Sequence, residues 1–124
     1  MLFNFDSTDP IYTQVAEQVE AAILTQTYRE GQQIPSTTEI SKYFHINPAT
    51  VLKGFNVLVA KGLVEKKRGV GMFVSSGAYQ RLIDHRRNEF YQLKIRPLIK
   101  EAQQLRFSEA ALLDLIKRGF ETND

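Results

Sequence analysis

The sequence predicts a mainly α-helical fold with one small β-hairpin: packed helices running into the hairpin over residues 1–77, then a short helical element over residues 78–124. Three observations carry this. Apolar residues recur at helical spacing through most of the chain. Leu63 to Val74 reads as two short strands around a basic, glycine-marked tip. A second apolar stripe, beyond Gly77, lies on helices with little core of their own.

Asp9 and Pro10 open the first helix, with Ile11, Tyr12, Val15, Ala16, Val19, Ala22 and Ile23 as its apolar stripe. Gln14, Glu17, Gln18 and Glu20 are expected to face water. Gly31 breaks the pattern, and Gln32-Gln33-Ile34 can form a short strand pairing with the later hairpin. The second helix starts at Pro35-Ser36, where Ser36 as N-cap and Glu39 three residues on form a capping box, and Ile40 and Phe44 point inward. The short turn Phe44-His45-Ile46 leads to the third helix. Asn47 caps it, because its side-chain oxygen can accept from the free N–H groups of the first turn, and the missing N–H of Pro48 costs nothing there. Val51, Phe55, Leu58 and Val59 are expected inside, leaving Asn47, Ala49, Thr50, Lys53 and Asn56 on the other face. Gly62 ends the helix, Leu63-Val64 begins a strand, Lys67 to Gly71 form the turn and Met72-Phe73-Val74 return.

Gly77 is a candidate hinge. From Tyr79 a helical pattern runs through Leu82, Ile83, Phe90, Leu93, Leu98, Ile99, Ala102 and Leu105, interrupted at Pro97, so a kink or break is expected near Arg96. Ser108 caps a last helix with Ala111, Leu112, Leu115, Ile116 and Phe120 as its apolar positions. The stripe of Leu82, Phe90, Leu93, Leu98, Leu112, Leu115, Ile116 and Phe120 would be an aggregation hazard if left bare. Its burial in a two-fold homodimer is expected.

Composition narrows the chemistry. The chain has no cysteine, which excludes disulfides, thiolate metal sites and cysteine catalysis. Its start lacks a signal-peptide pattern and no apolar run nears the about 18 residues of a membrane span, so a soluble cytoplasmic protein is expected. His45 and His85 each lack a second ligand at metal spacing, and Asp84 and His85, adjacent on a helix, point roughly 100° apart. Neither a catalytic site, a metal site nor a cofactor is expected. Net charge is only +2, but its distribution is uneven. From Lys42 to Val74 six cations face the single anion Glu65, whereas Met1 to Ser41 holds six anions and one cation. Such separation focuses positive potential on one surface.

A capped helix with a small, polar, cationic face, followed by a basic hairpin, has the physical form of a recognition helix and a wing, that is, a winged helix-turn-helix. Major-groove readers need short side chains and a few donors near the helix N-terminus. Asn47, Thr50 and Lys53 are therefore expected to reach base edges, with Ala49 and Asn56 on the same face. Ser36, Thr37, Lys67 and Arg68 are placed to meet phosphate, Thr38 and Lys42 flank them, and Gly69 and Gly71 let backbone approach closely.

The sequence resembles the GntR family of bacterial transcription regulators, and its short tail makes it most similar to the YtrA-like branch. The matching islands are Pro10-Ile-Tyr-Thr-Gln-Val15, Ile34-Pro-Ser36 with Glu39-Ile40, Asn47-Pro-Ala-Thr-Val51 with Lys53, Leu58 with Lys61-Gly-Leu63, and Arg68-Gly-Val-Gly71 with Phe73-Val74. The resemblance implies a winged helix that binds double-stranded operator DNA as a homodimer, and a small two-helix dimerisation element without a large effector pocket. The family usually has an arginine where this chain has Thr38; Lys42, one turn on, could partly replace it. A repressor on an inverted-repeat operator is the resulting expectation, with no effector named. Two alternatives stand beside it. One is a protein-docking winged helix, for which exposed Leu52 would argue; the other is a tail that senses an anionic small molecule through Arg81, His85, Arg86 and Arg87.

Overall fold

A computed structural model describes residues 7–122. The chain divides into two compact units, Met1–Asp84 and His85–Asp124. The division falls inside a helix rather than at Gly77, because the first turns of that helix belong to the first unit's core.

In the first unit, α1 (Ile11–Leu24) begins after Pro10, whose carbonyl accepts from Thr13 and Gln14. Helix α2 (Thr37–Phe44) carries the expected capping box at Ser36 and Glu39, and α3 (Pro48–Ala60) the expected Asn47 cap. Gly62, at φ +72°, closes α3 while the Leu63 N–H reaches back to Leu58 O, the hydrogen bond of a Schellman-type ending. Strands β1 (Val64–Lys67) and β2 (Gly71–Val74) pair antiparallel, from Val64 with Val74 to Lys67 with Gly71. Lys67 and Gly71 thus close the ladder, and the turn proper is Arg68-Gly69-Val70. The Gly31–Ile34 stretch lies along β2 through Gly31 N–H to Val74 O, Val74 N–H to Gln32 O and Ile34 N–H to Met72 O, although only Gln33 and Phe73 form a bridge.

The core is built from Val15, Val19 and Ile23 of α1, Ile40 of α2, Val51, Phe55 and Leu58 of α3, Val64 and Val74 of the hairpin, and Ala78 and Leu82 of α4 (Ala78–Phe90). Leu82, expected on the dimer stripe, is thus a core residue of the first unit, fully shielded within one chain. Val59, expected inside, is exposed: Val51, Phe55 and Leu58 already span the buried stripe, and eight residues on from Val51 the helix has turned roughly 80° away from it. Gln14 and Glu20, expected in water, are buried. Each has a reason. Gln14 Nε2 donates to Asp9 O, and Glu20 accepts at 2.8 Å from the ammonium of Lys61, the residue that follows α3.

Gly77 is pinned, not a free joint. Its N–H donates to the Glu30 carboxylate, and its carbonyl accepts from Arg81 N in the first turn of α4.

In the second unit a π-helical turn, Tyr91–Ile95, joins α4 to α5 (Arg96–Gln104). Pro97 has no N–H to continue the ladder, and the interruption expected near Arg96 takes the form of this widened turn instead of a gap. After Arg106, in the left-handed region at φ +63°, Ser108 Oγ accepts from Ala111 N–H and opens α6 (Glu109–Thr122). Among the described residues of this unit only Ala102 is buried.

Candidate nucleic-acid interface

The α2–α3 corner is fixed by local hydrogen bonds. Ser36 Oγ accepts from Glu39 N–H at 3.0 Å while Glu39 Oε1 accepts from Ser36 N–H at 3.2 Å. Ser41 Oγ donates to Ile46 O at 2.6 Å, bridging a turn in which His45 sits left-handed at φ +55°. Asn47 Oδ1 accepts from Ala49 N–H at 2.8 Å, which commits the oxygen of this exposed side chain to the cap. Beyond it Ala49, Lys53 and Asn56 are exposed and Thr50 half-exposed on one face of α3. On α2, Thr38 and Lys42 are exposed one turn apart, and Thr37 is half-buried.

Two of the cations rest on aromatic faces. The Lys53 ammonium lies 4.1 Å from the centroid of Tyr12, and the Lys67 ammonium 4.4 Å from that of Phe73. A ring face holds a cation without cancelling its charge. Arg68 and Gly69 stand exposed at the wing tip, where Val70 N–H closes the turn onto Lys67 O and Gly69 supplies its positive φ of +75°. Gln33 Nε2 donates to Val70 O at 2.9 Å and occupies the space a Cβ on Gly71 would need, so Gly71 also serves to let this strut in.

Not every expected cation is available. Lys61 is committed to Glu20, which leaves Lys42, Lys53, Lys66, Lys67 and Arg68 to face an anion. Two of the tail side chains weighed as an anion site, Arg81 and His85, already have partners. The Arg81 guanidinium donates to the Gly62 and Ser76 carbonyls, and His85 Nε2 meets Glu89 at 2.6 Å.

Sequence reasoning missed three contributors. By its spacing Tyr12 belongs to the apolar stripe of α1, yet its half-buried ring seats Lys53. The sequence pattern marks Gln33 only as part of a short strand. Gly54 is buried in mid-helix, where a Cβ would stand 2.7 Å from the Tyr12 carbonyl. A glycine inside an otherwise regular helix was the available signal, because there it costs stability unless another backbone must pass close by.

The sequence model described as "Bacterial regulatory proteins, gntR family" matches residues 11–74, the span from the start of α1 to the end of the wing. The chain belongs to the GntR family. That family is one of regulatory proteins, not enzymes. Among curated relatives, the uncharacterized HTH-type transcriptional regulator YhcF of Bacillus subtilis is 26% identical over 114 residues, covering 92% of this chain and 93% of YhcF. The HTH-type transcriptional repressor YtrA of the same organism is 32% identical over 78 residues, 63% of this chain and 60% of YtrA, in line with the branch its motifs resemble. A GntR-family structure from Bacteroides thetaiotaomicron shares the fold with a TM-score of 0.77 at 24% identity, covering 92% of this chain and 99% of that one. The AraR DNA-binding domain, solved in complex with operator ORE1, aligns with a TM-score of 0.54 at 28% identity, covering 60% of this chain and 90% of the AraR domain. This GntR-family regulator therefore carries a winged-helix DNA-binding domain. No helix among its described residues is long and apolar enough to cross a membrane.

Proposed function

We propose that this GntR-family chain is a repressor that binds an inverted-repeat operator as a homodimer in the cytoplasm. The observation that carries the reading is the outer face of α3: a helix opened by Asn47, with Ala49, Thr50, Lys53 and Asn56 turned outward, in the same domain as a wing tipped by Lys67 and Arg68. Side chains on the first two turns of such a helix reach base edges, and a preceding helix start and a wing straddle the backbone. Asn47, Thr50 and Lys53 read bases; Ser36, Thr37, Thr38, Lys42, Lys67 and Arg68, with the backbone at Gly69 and Gly71, hold phosphates. AraR bound to its operator is the solved relative that supports this assignment, and YtrA, named a repressor, supports the sign of regulation.

Dimerisation rests on the tail. Phe90, Leu93, Leu98, Leu112, Leu115, Ile116 and Phe120 supply apolar surface that a second copy covers, and joining two weak half-site readers makes the second contact effectively intramolecular. The test is selection of binding sites from genomic fragments with the purified protein, followed by footprinting. Recovery of one palindromic motif protected over both halves supports the proposal; a protein that enriches no sequence over random DNA at moderate salt refutes it.

A further inference from the structure

The Lys53 side chain is the one base-reading cation proposed on α3, and a lysine is a poor reader when free, because its long stem samples many rotamers. In this fold it is not left to sample them. Its ammonium is seated 4.1 Å above the centre of the Tyr12 ring, on the first turn of α1. The seat exists because α1 and α3 approach at Gly54, the residue next to Lys53, whose missing side chain lets the Tyr12 backbone come in.

Resting on the operator-binding reading above, we propose that Tyr12 is a positioning residue that sets sequence specificity by aiming Lys53 at the groove. The ring restricts the ammonium to one region while leaving its charge and its donors, so less freedom is lost when it meets a guanine edge and its preference for that edge sharpens. A carboxylate in the same place would neutralise the charge, and an aliphatic residue would leave the stem unanchored. The contact is local to the first unit and needs no partner copy.

The experiment uses the full chain with Tyr12→Phe, which keeps the ring face, and Tyr12→Leu, which keeps only apolar bulk, each also combined with Lys53→Ala. In the free protein, the Lys53 ε-methylene protons should be shifted upfield by the ring in wild type and Tyr12→Phe and return to ordinary values in Tyr12→Leu. This readout involves no DNA and tests the contact by itself. Against the selected operator, Tyr12→Phe should bind like wild type, whereas Tyr12→Leu should lose about two- to fivefold and discriminate less at the base pair Lys53 reads. In the Lys53→Ala background the Tyr12→Leu change should have no further effect.

A Tyr12→Leu loss that persists without Lys53 would overturn the proposal, since the ring would then act through packing. Equal behaviour of Tyr12→Phe and Tyr12→Leu on DNA, or tighter binding by Tyr12→Leu, would overturn it as well. The operator reading fails separately: if the upfield shift is present yet no sequence is enriched by the wild type, the seat is real and its purpose is not DNA.

Discussion

At the scale of single residues, geometry separates two kinds of cation. Lys53 emerges from the exposed face of α3 proposed to read bases, whereas Arg68 stands at the wing tip. If Lys53 meets a base edge, Lys53→Ala should cost roughly 1–3 kcal/mol on the preferred operator and relax preference at one position. Arg68→Ala should weaken all sequences alike and lower the salt slope by about one unit. Titrations against operator and scrambled DNA at several salt concentrations distinguish them, and equal loss of discrimination in both variants would sink the division of labour. Gly54 poses a question of sign. Glycine to alanine inside a helix ordinarily stabilises by about 0.5–1 kcal/mol. Here the added Cβ would stand 2.7 Å from the Tyr12 carbonyl and 3.0 Å from Val15 Cβ, so α1 and α3 must move apart. Overpacking of this kind costs about 1–3 kcal/mol, and Gly54→Ala should therefore lower the denaturation midpoint rather than raise it.

Among the elements, what could be read in the sequence was whatever is decided locally. The Ser36–Glu39 box, the Asn47-Pro48 start, the Gly62 stop and the Ser108 cap each depend on residues within a few positions, and each is formed as expected. Burial depends on partners far along the chain and was less legible. Glu20 reads as solvent-facing by composition, yet Lys61, 41 residues later, takes it inside. Leu82 has the same spacing as the tail's apolar residues, and only the tertiary fold assigns it to the first unit's core. Aromatic seats for lysines have no sequence period at all. The exposed face of α3 and the hairpin were thus legible, and the contacts that support them were not. One element-scale consequence concerns Ser36, whose hydroxyl oxygen already serves α2. Ser36→Ala should destabilise the domain by about 1 kcal/mol even without DNA, as read by chemical denaturation. An unchanged midpoint would mean the capping box contributes nothing and that any binding defect of this variant is a lost phosphate contact.

For the whole molecule the question is what covers the tail. The second unit has one buried residue among those described, Ala102, while Phe90, Leu93, Leu98, Leu115 and Ile116 are between 39% and 66% exposed and Phe120 is 83% exposed. Two helices packed only on each other cannot hide such a surface, and apolar area on this scale is seldom left in water by a monomer. Leu82 no longer belongs to the stripe, so the interface proposed here begins at Phe90. A two-fold partner would satisfy the same residues in both copies and present two recognition helices to one face of DNA. Half-site centres should then lie about one helical turn apart, roughly 34–36 Å, or a multiple of it. A Phe90→Asp/Leu115→Asp double variant should be monomeric by light scattering at micromolar concentration. The first unit's core uses neither residue, so its thermal unfolding should persist. Operator affinity should fall by orders of magnitude, because the loss of the tether returns the second half-site to bulk concentration. A wild-type chain that scatters as a monomer, or a monomeric variant that still binds the full operator tightly, would show that the tail's apolar face serves something other than assembly on DNA.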